Sequence, residues 1–309
     1  MNQMRRKNPF WSLAAPILIY IGVRLVVEII CILVISLPDL MNVYEQILTQ
    51  QKTQSVEQIT QQYWTLMEPA MNQVFRYSTE IAGVAALVTI PVNAVFFSRD
   101  RKLEKAFGVE VPEKAPFRKY WTVVVFGLAV SIAATCFSAM VELAFYSGQS
   151  QSSTLLIYTP PFVVQLLVLG IVVPVAEELM FRGVLFRRFL ERRSFWYAAL
   201  WSSLFFVLMH QDGAQMVYAL LLGLFLCYVY QKFGSLKAPV VLHIIANCSS
   251  LIYTETGVFR WIGRVPIRMA GAVIIGAFIC SVMYVQIQRT GGPVQKETKS
   301  DTGNPGDMF

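Results

Sequence analysis

The sequence predicts an all-α, polytopic membrane protein, and three observations lead to this prediction. Of the 309 residues, 55% are hydrophobic and only 15% are charged, which is too apolar for a soluble domain of this size. The apolar residues form segments long enough to cross about 30 Å of hydrocarbon. Basic residues concentrate in the short loops between these segments, as they do in cytoplasmic loops. The high pI, about 9.2, therefore indicates membrane orientation, and no nucleic-acid partner is predicted.

About eight transmembrane helices are predicted, with a catalytic cavity inside the helix bundle. The segments are 10–37, 80–97, 120–146, 160–186, 195–211, 213–231, 238–254 and 267–288. With a cytoplasmic N terminus, eight crossings also place the C terminus in the cytoplasm and bring most basic loops to that side. Arg260, Arg264 and Arg268 depart from this pattern, because the same topology places them on the opposite side.

Composition divides the chain into four regions. They are an N-terminal membrane region (1–159, with a polar segment at 38–79 and a basic loop at 98–119), a core of four predicted spans (160–254), a last span (255–289) and a tail predicted to be disordered (290–309). In the first span, Arg24 and Glu28 are four residues apart and are expected to pair. The five cysteines lie in apolar segments without C-x-x-C spacing, so neither a disulfide framework nor a zinc site is indicated.

The stretch PVAEELMFRG, from Pro174 to Gly183, places three ionisable side chains in an otherwise apolar span. Each costs roughly 2.5–3.5 kcal/mol on insertion scales, so such groups indicate a functional site. On a helix, Glu178 and Arg182 lie one turn apart and can pair. Glu177 points about 100° away from them. One carboxylate is therefore predicted to be neutralised and the other to be free for chemistry, and which of the two is the base stays open, because adjacent carboxylates can titrate as a coupled pair.

Both histidines of the chain lie in apolar, helix-like segments of the second half. Phe206 precedes His210 by four residues, and Asn247 follows His243 by four, so His243 and Asn247 share a helix face. At about 1.5 Å per residue from the flanking basic residues, Glu177, His243 and Asn247 lie about 9–15 Å deep and His210 about 26 Å. These depths allow all four side chains to meet in one cavity within the bilayer.

These groups suit general-base hydrolysis. A carboxylate and an imidazole can hold and deprotonate one water, and a second imidazole with an amide can stabilise an oxyanion. Glutamate and histidine are also zinc ligands, but H-E-x-x-H is missing, because Gln211 follows His210 and Ile244 follows His243. No cofactor is therefore predicted, and zinc remains the less favoured alternative.

Three ordered motifs carry a family resemblance: E-E-x-x-x-R (Glu177, Glu178, Arg182), F-x-x-x-H (Phe206, His210) and H-x-x-x-N (His243, Asn247). Together they resemble the CPBP family of intramembrane metalloproteases or glutamic proteases, which includes type II CAAX prenyl endopeptidases and the bacterial Abi proteins of bacteriocin processing and self-immunity. The resemblance covers about residues 160–254. It implies an eight-span, metal-independent glutamyl endopeptidase of a bacterial cell membrane.

The resemblance also implies a role for each motif residue. Glu177 and His210 would activate the water, and His243 and Asn247 would form the oxyanion hole. Glu178, Arg182 and Phe206 would support the site. The implied partners are the lipid bilayer and a peptide or membrane-protein substrate.

Two other functions remain open from the sequence. A non-catalytic immunity or regulatory protein can bind a peptide or membrane partner in the same cavity. An ion-coupled transporter can use Glu177 and Glu178 as a proton relay, but neither repeated halves nor paired broken helices are evident in the sequence.

Overall fold

The computed structural model describes residues 8–50, 55–109, 113–145, 160–210 and 213–290, and in these residues the regular secondary structure is entirely helical. The helices are α1 (Pro9–Gln50), α2 (Val56–Arg76), α3 (Ser78–Ala106), α4 (Trp121–Phe145), α5 (Phe162–Leu190), α6 (Phe195–Val207), α7 (Gly213–Phe233), α8 (Lys237–Glu255), α9 (Val258–Gly263) and α10 (Pro266–Gln288). The all-α prediction is confirmed. The predicted disordered tail beyond Thr290 lies outside the described residues.

Six of these helices are long and apolar enough to cross a membrane: α1, α3, α4, α5, α7 and α10. The two other predicted spans also fold as helices. Helix α6 has 13 residues, a length of only about 20 Å, and α8 has 19 residues with His243 and Asn247 lowering its hydropathy. The chain is thus a polytopic membrane protein with six spans supported by length and hydropathy, where the sequence predicted about eight.

Helix α1 is longer than the predicted first span. Its 42 residues extend about 63 Å, twice the usual hydrocarbon thickness. Together with α2, which packs against α1, it makes most of the predicted polar segment 38–79 helical. Many large apolar side chains of α1 are exposed, among them Leu25 and Ile29, as expected for a lipid-facing helix. The expected Arg24–Glu28 ion pair is present at 2.7 Å.

Charged residues that the sequence placed in loops are buried where α3 and α5 end. Arg188 donates two hydrogen bonds to Asp100, at 2.6 and 3.0 Å, and one to the carbonyl oxygen of Ser12 in α1. Arg187 pairs with Glu104 at 2.9 Å. The predicted loop at 98–119 is therefore wrong for residues 98–106, because α3 continues to Ala106. The carboxylates of α3 neutralise the arginines. These ion pairs join α5 to α1 and α3.

The main apolar core forms where α4 packs against α7, α8 and α10. Helices α4 and α10 approach closely at Gly276, where an added Cβ atom would lie 2.8 Å from the Ala133 Cβ and 3.1 Å from the Ala129 carbonyl oxygen. No real side chain tolerates the shorter distance. The close packing of α4 against α10 therefore requires glycine at position 276. All five cysteines are free thiols.

Replacing Gly276 with alanine is expected to lower the free energy of unfolding by about 1–3 kcal/mol, because the added methyl group overpacks the α4–α10 contact. Gly271→Ala is the matched control, since it lies in the same helix and its added methyl group would meet nothing within 4 Å. Thermal unfolding in detergent measures both variants. Equal stability of the two variants would contradict the packing at Gly276.

Candidate active site

Helix α5 is irregular on both sides of Glu177 and Glu178, with π-helical turns at Val168–Val172 and Leu179–Phe186. In the first turn, the Val173 N–H donates to the Val168 carbonyl, five residues back. In the same five-residue pattern, the N–H of residue 174 would donate to the Leu169 carbonyl, but residue 174 is a proline and has no N–H. The Leu169 carbonyl is thereby released, and the side-chain amide of Asn247 donates to it at 3.1 Å. The irregular turn is thus stabilised by α8.

Two side chains, those of Arg182 and His243, bind the carboxylate of Glu178. Arg182 Nη1 and His243 Nδ1 both lie 2.9 Å from the same Glu178 oxygen, Oε1. Because an ionised carboxylate only accepts, both nitrogens donate. Glu178 and Arg182 have no accessible surface, and His243 is almost as buried. The i,i+4 spacing predicted this ion pair, but it gave no sign of the contact with His243.

Arg182 is positioned by two further contacts. Its Nη2 donates to the Gly223 carbonyl oxygen in α7 at 3.3 Å, and its guanidinium lies over the Phe206 ring, 4.5 Å from the centroid. A Cβ atom at Gly223 would lie 2.9 Å from Ser203 Oγ. Glycine therefore permits the close approach of α6, α7 and the Arg182 side chain.

Glu177 has no hydrogen bond to any residue that the structure describes. Its nearest ion-pair partner is His243, with Nε2 lying 3.8 Å from Glu177 Oε2. The Glu177 side chain is 8% exposed and lines a cavity. Its carboxylate is therefore free to bind water or a substrate, in contrast to the neighbouring Glu178.

The sequence predicted a helical position for His210, but this prediction is wrong. Helix α6 ends at Val207, and His210 belongs to the turn that follows. Its Nδ1 lies 3.0 Å from the Phe206 carbonyl oxygen. Since a carbonyl oxygen only accepts, Nδ1 carries a proton, and the neutral ring keeps its lone pair on Nε2. The ring also packs edge-on against Phe206, with a centroid separation of 4.8 Å.

The cavity has a volume of about 910 Å³, within the range of small-molecule and cofactor sites. Its lining includes five of the seven residues that the sequence singled out: Glu177, Phe206, His210, His243 and Asn247. Glu178 and Arg182 do not line the cavity and lie behind it. The structure therefore brings the three motifs together around one space.

Four residues of the site were missed by sequence reasoning. Tyr20 and Arg24 of α1 and Tyr218 of α7 line the cavity, and Asn93 of α3 donates to the Ala176 carbonyl oxygen at 3.2 Å. Asn93 is fully buried. A polar side chain inside an apolar span was the available signal for Asn93, whereas nothing in the sequence connects α1 to the motifs.

The arrangement of the nitrogen, oxygen and sulfur donors in the described residues differs from that of a metal site. Within the described ranges, no group of three or more His, Cys, Asp or Glu side chains is placed to hold one metal ion. His243 instead uses Nδ1 for the Glu178 carboxylate.

Comparison with known proteins places the site in a family context. Residues 159–249 match the family described as type II CAAX prenyl endopeptidase Rce1-like. The site segment is similar to this family. The match contains all seven motif residues and leaves α1–α4, α9 and α10 outside it, which confirms the resemblance seen in the sequence.

One curated relative and the solved structures add to this comparison. The chain is 25% identical over 114 residues to the protein named "Putative membrane peptidase YdiL" of Bacillus subtilis (strain 168). The alignment covers 37% of this chain and 46% of the relative, so it spans less than half of that protein's length. No solved structure matches the chain.

Arg182→Gln is expected to lower the free energy of unfolding by about 3–5 kcal/mol, because it removes the guanidinium partner of a buried carboxylate. Thermal unfolding in detergent measures this loss. The double variant Glu178→Gln, Arg182→Gln is the control, because it removes both charges and is expected to regain part of the stability. A single variant as stable as the parent would contradict the importance of this ion pair.

Proposed function

We propose that the protein is an intramembrane endopeptidase that hydrolyses a peptide bond of a membrane-associated peptide or protein. One observation carries the proposal: the carboxylate of Glu177 is nearly buried, has no hydrogen bond to the described residues and faces His243 across 3.8 Å in a cavity. The Rce1-like match and the name of the relative support the same activity.

In the proposed reaction, Glu177 acts as the general base. It takes one proton from a water, and the resulting hydroxide attacks the carbonyl carbon of the scissile bond. His210 accepts a hydrogen bond from the same water at Nε2, since its Nδ1–H is directed at the Phe206 carbonyl. Glu177 then delivers the proton to the leaving nitrogen as the C–N bond breaks.

Asn247 and His243 stabilise the oxyanion of the tetrahedral intermediate. Asn247 uses one amide hydrogen for the Leu169 carbonyl and keeps a second for the substrate. His243 already donates Nδ1–H to Glu178, so a hydrogen bond from Nε2 requires the imidazolium form. The carboxylates of Glu178 and Glu177 flank this ring on both sides.

Glu178, Arg182 and Phe206 position the reacting groups. Glu178 fixes the His243 ring through Nδ1, and Arg182 fixes Glu178. Phe206 packs edge-on against both imidazoles, with centroid separations of 4.8 Å to His210 and 5.7 Å to His243. The two histidines therefore share one aromatic support.

The proposed enzyme lies in a bacterial cell membrane with both termini in the cytoplasm, and its substrates are peptides or membrane proteins. This orientation follows from the basic residues where α3, α5 and α7 end.

The proposed mechanism needs no metal ion. Elemental analysis of the purified protein is expected to find far less than one zinc per chain, and incubation with a chelator is expected to leave proteolysis unchanged. One zinc per chain together with loss of activity in chelator would replace the Glu/His mechanism with a metal-dependent one.

Glu177→Gln is expected to abolish proteolysis, because it preserves the size of the side chain and removes the base. Mass spectrometry of membrane and released peptides should find peptide ends that are present with the parent and missing with the variant. Glu255→Gln makes the same chemical change at an exposed helix end and should keep those peptide ends. Identical peptide sets from all three equally abundant proteins would instead favour the non-catalytic binding protein.

A further inference from the structure

We propose that the cavity is reached from the non-cytoplasmic face of the membrane, and that its substrates are peptide segments presented at that face. The route of access is argued from the structure, whereas the assignment of substrates rests on the proposed proteolytic function. The helix bundle has two ends, the basic end and the cavity end.

The basic end is where α3, α5, α7 and α10 finish and where α1, α4, α6 and α8 begin. Tertiary contacts bring these termini together: Arg188 of α5 binds Asp100 of α3 and the Ser12 carbonyl of α1. The Ala115 N–H, just before α4, donates to the Phe233 carbonyl at the end of α7. Basic side chains from these termini, including Lys105, Arg193, Lys232, Lys237 and Arg289, define this end.

The cavity lies far from the basic end along the helices that line it. On α8, His243 is about 9 Å from Lys237, and Ser250 is about 20 Å away. On α7, Gln215 is about 27 Å from Phe233 at the same rise per residue. By the same residue count, no other lining residue in the described ranges lies nearer to the basic end than His243. The cavity therefore extends from the catalytic residues toward the opposite end only.

The space between the site and the basic end is filled by protein. The second half of α5 contributes Met180, Val184 and Phe186, none of which has accessible surface. Beyond them lie the buried ion pairs of Arg187 and Arg188. Water and substrate thus have no route through this packed segment.

The lining toward the cavity end combines polar side chains with apolar ones such as Ala82, Leu169 and Leu251. It includes the side chains of Ser78, Thr79, Thr135, Ser138, Gln215 and Ser250, and Ser78 and Gln215 are exposed. Hydroxyl and amide groups both donate and accept hydrogen bonds, so they can solvate an extended peptide backbone. A polar lining inside a membrane bundle is also tolerated where it encloses water.

The charge distribution assigns the two ends to sides of the membrane. The larger group of Lys and Arg residues lies at the basic end, which the positive-inside rule places in the cytoplasm. Arg76, Arg260, Arg264 and Arg268 form the smaller group at the cavity end. The cavity end therefore faces away from the cytoplasm, and so do the segments that can enter it.

Two matched Ser→Cys variants test this access route. Ser78→Cys lies at the cavity end, and Ser235→Cys lies in the turn between α7 and α8 at the basic end. A membrane-impermeant maleimide is applied to intact cells and to inverted membrane vesicles, and the parent protein measures labelling of its five native thiols. Gln215→Cys is a second cavity-end variant if Ser78→Cys does not accumulate.

The expected result is labelling of the cavity-end cysteine in intact cells and of the Ser235→Cys protein in inverted vesicles alone. Labelling of the cavity-end cysteine from the cytoplasmic side only, or from neither side, would overturn the proposal. The labelling pattern does not require catalysis, so repeating it in a Glu177→Gln background should give the same result. A failed protease assay is thereby distinguished from a wrong access route.

Discussion

The structure of the site depends on one buried carboxylate, that of Glu178, which accepts hydrogen bonds from Arg182 and His243 at the same oxygen. A carboxylate without accessible surface is stable only when its charge is compensated, so the two donors must remain in place. Arg182 links it to α7 through Gly223, and His243 links it to α8. The neutralised Glu178 leaves the adjacent Glu177 as the carboxylate that faces the cavity.

The irregularity of α5 serves the same arrangement. Pro174 lacks the N–H that the π-helical turn would direct at Leu169, and Asn247 supplies the missing donor. Asn93 of α3 donates to the Ala176 carbonyl, which also accepts from the Leu179 N–H. A backbone group freed within a membrane must find a polar partner, so the break in α5 requires polar side chains on its neighbours. These side chains also surround the candidate active site.

The two ends of the helix bundle differ in how they are closed. One end is sealed by apolar side chains of α5 and by the ion pairs of Arg187 and Arg188, whereas the other end is lined by hydroxyl and amide groups together with apolar side chains. Helices outside the Rce1-like segment contribute to both ends, because α3 provides Asp100 and Glu104 at one end and Ser78 at the other. Helices outside the matched segment thus contribute to both the sealed end and the open end of the cavity.

The sequence by itself determined the fold class and most of the site. Apolar segment length fixed an all-α membrane protein, and one-turn spacing fixed the Glu178–Arg182 pair and the shared face of His243 and Asn247, because helical geometry depends only on residue number. The sequence did not predict that α6 ends before His210 or that Arg187 and Arg188 are buried. It also did not predict that Tyr20 and Arg24 line the cavity. Only the tertiary structure decided these, because contacts between residues distant in the chain depend on how helices pack against one another, which local periodicity does not encode.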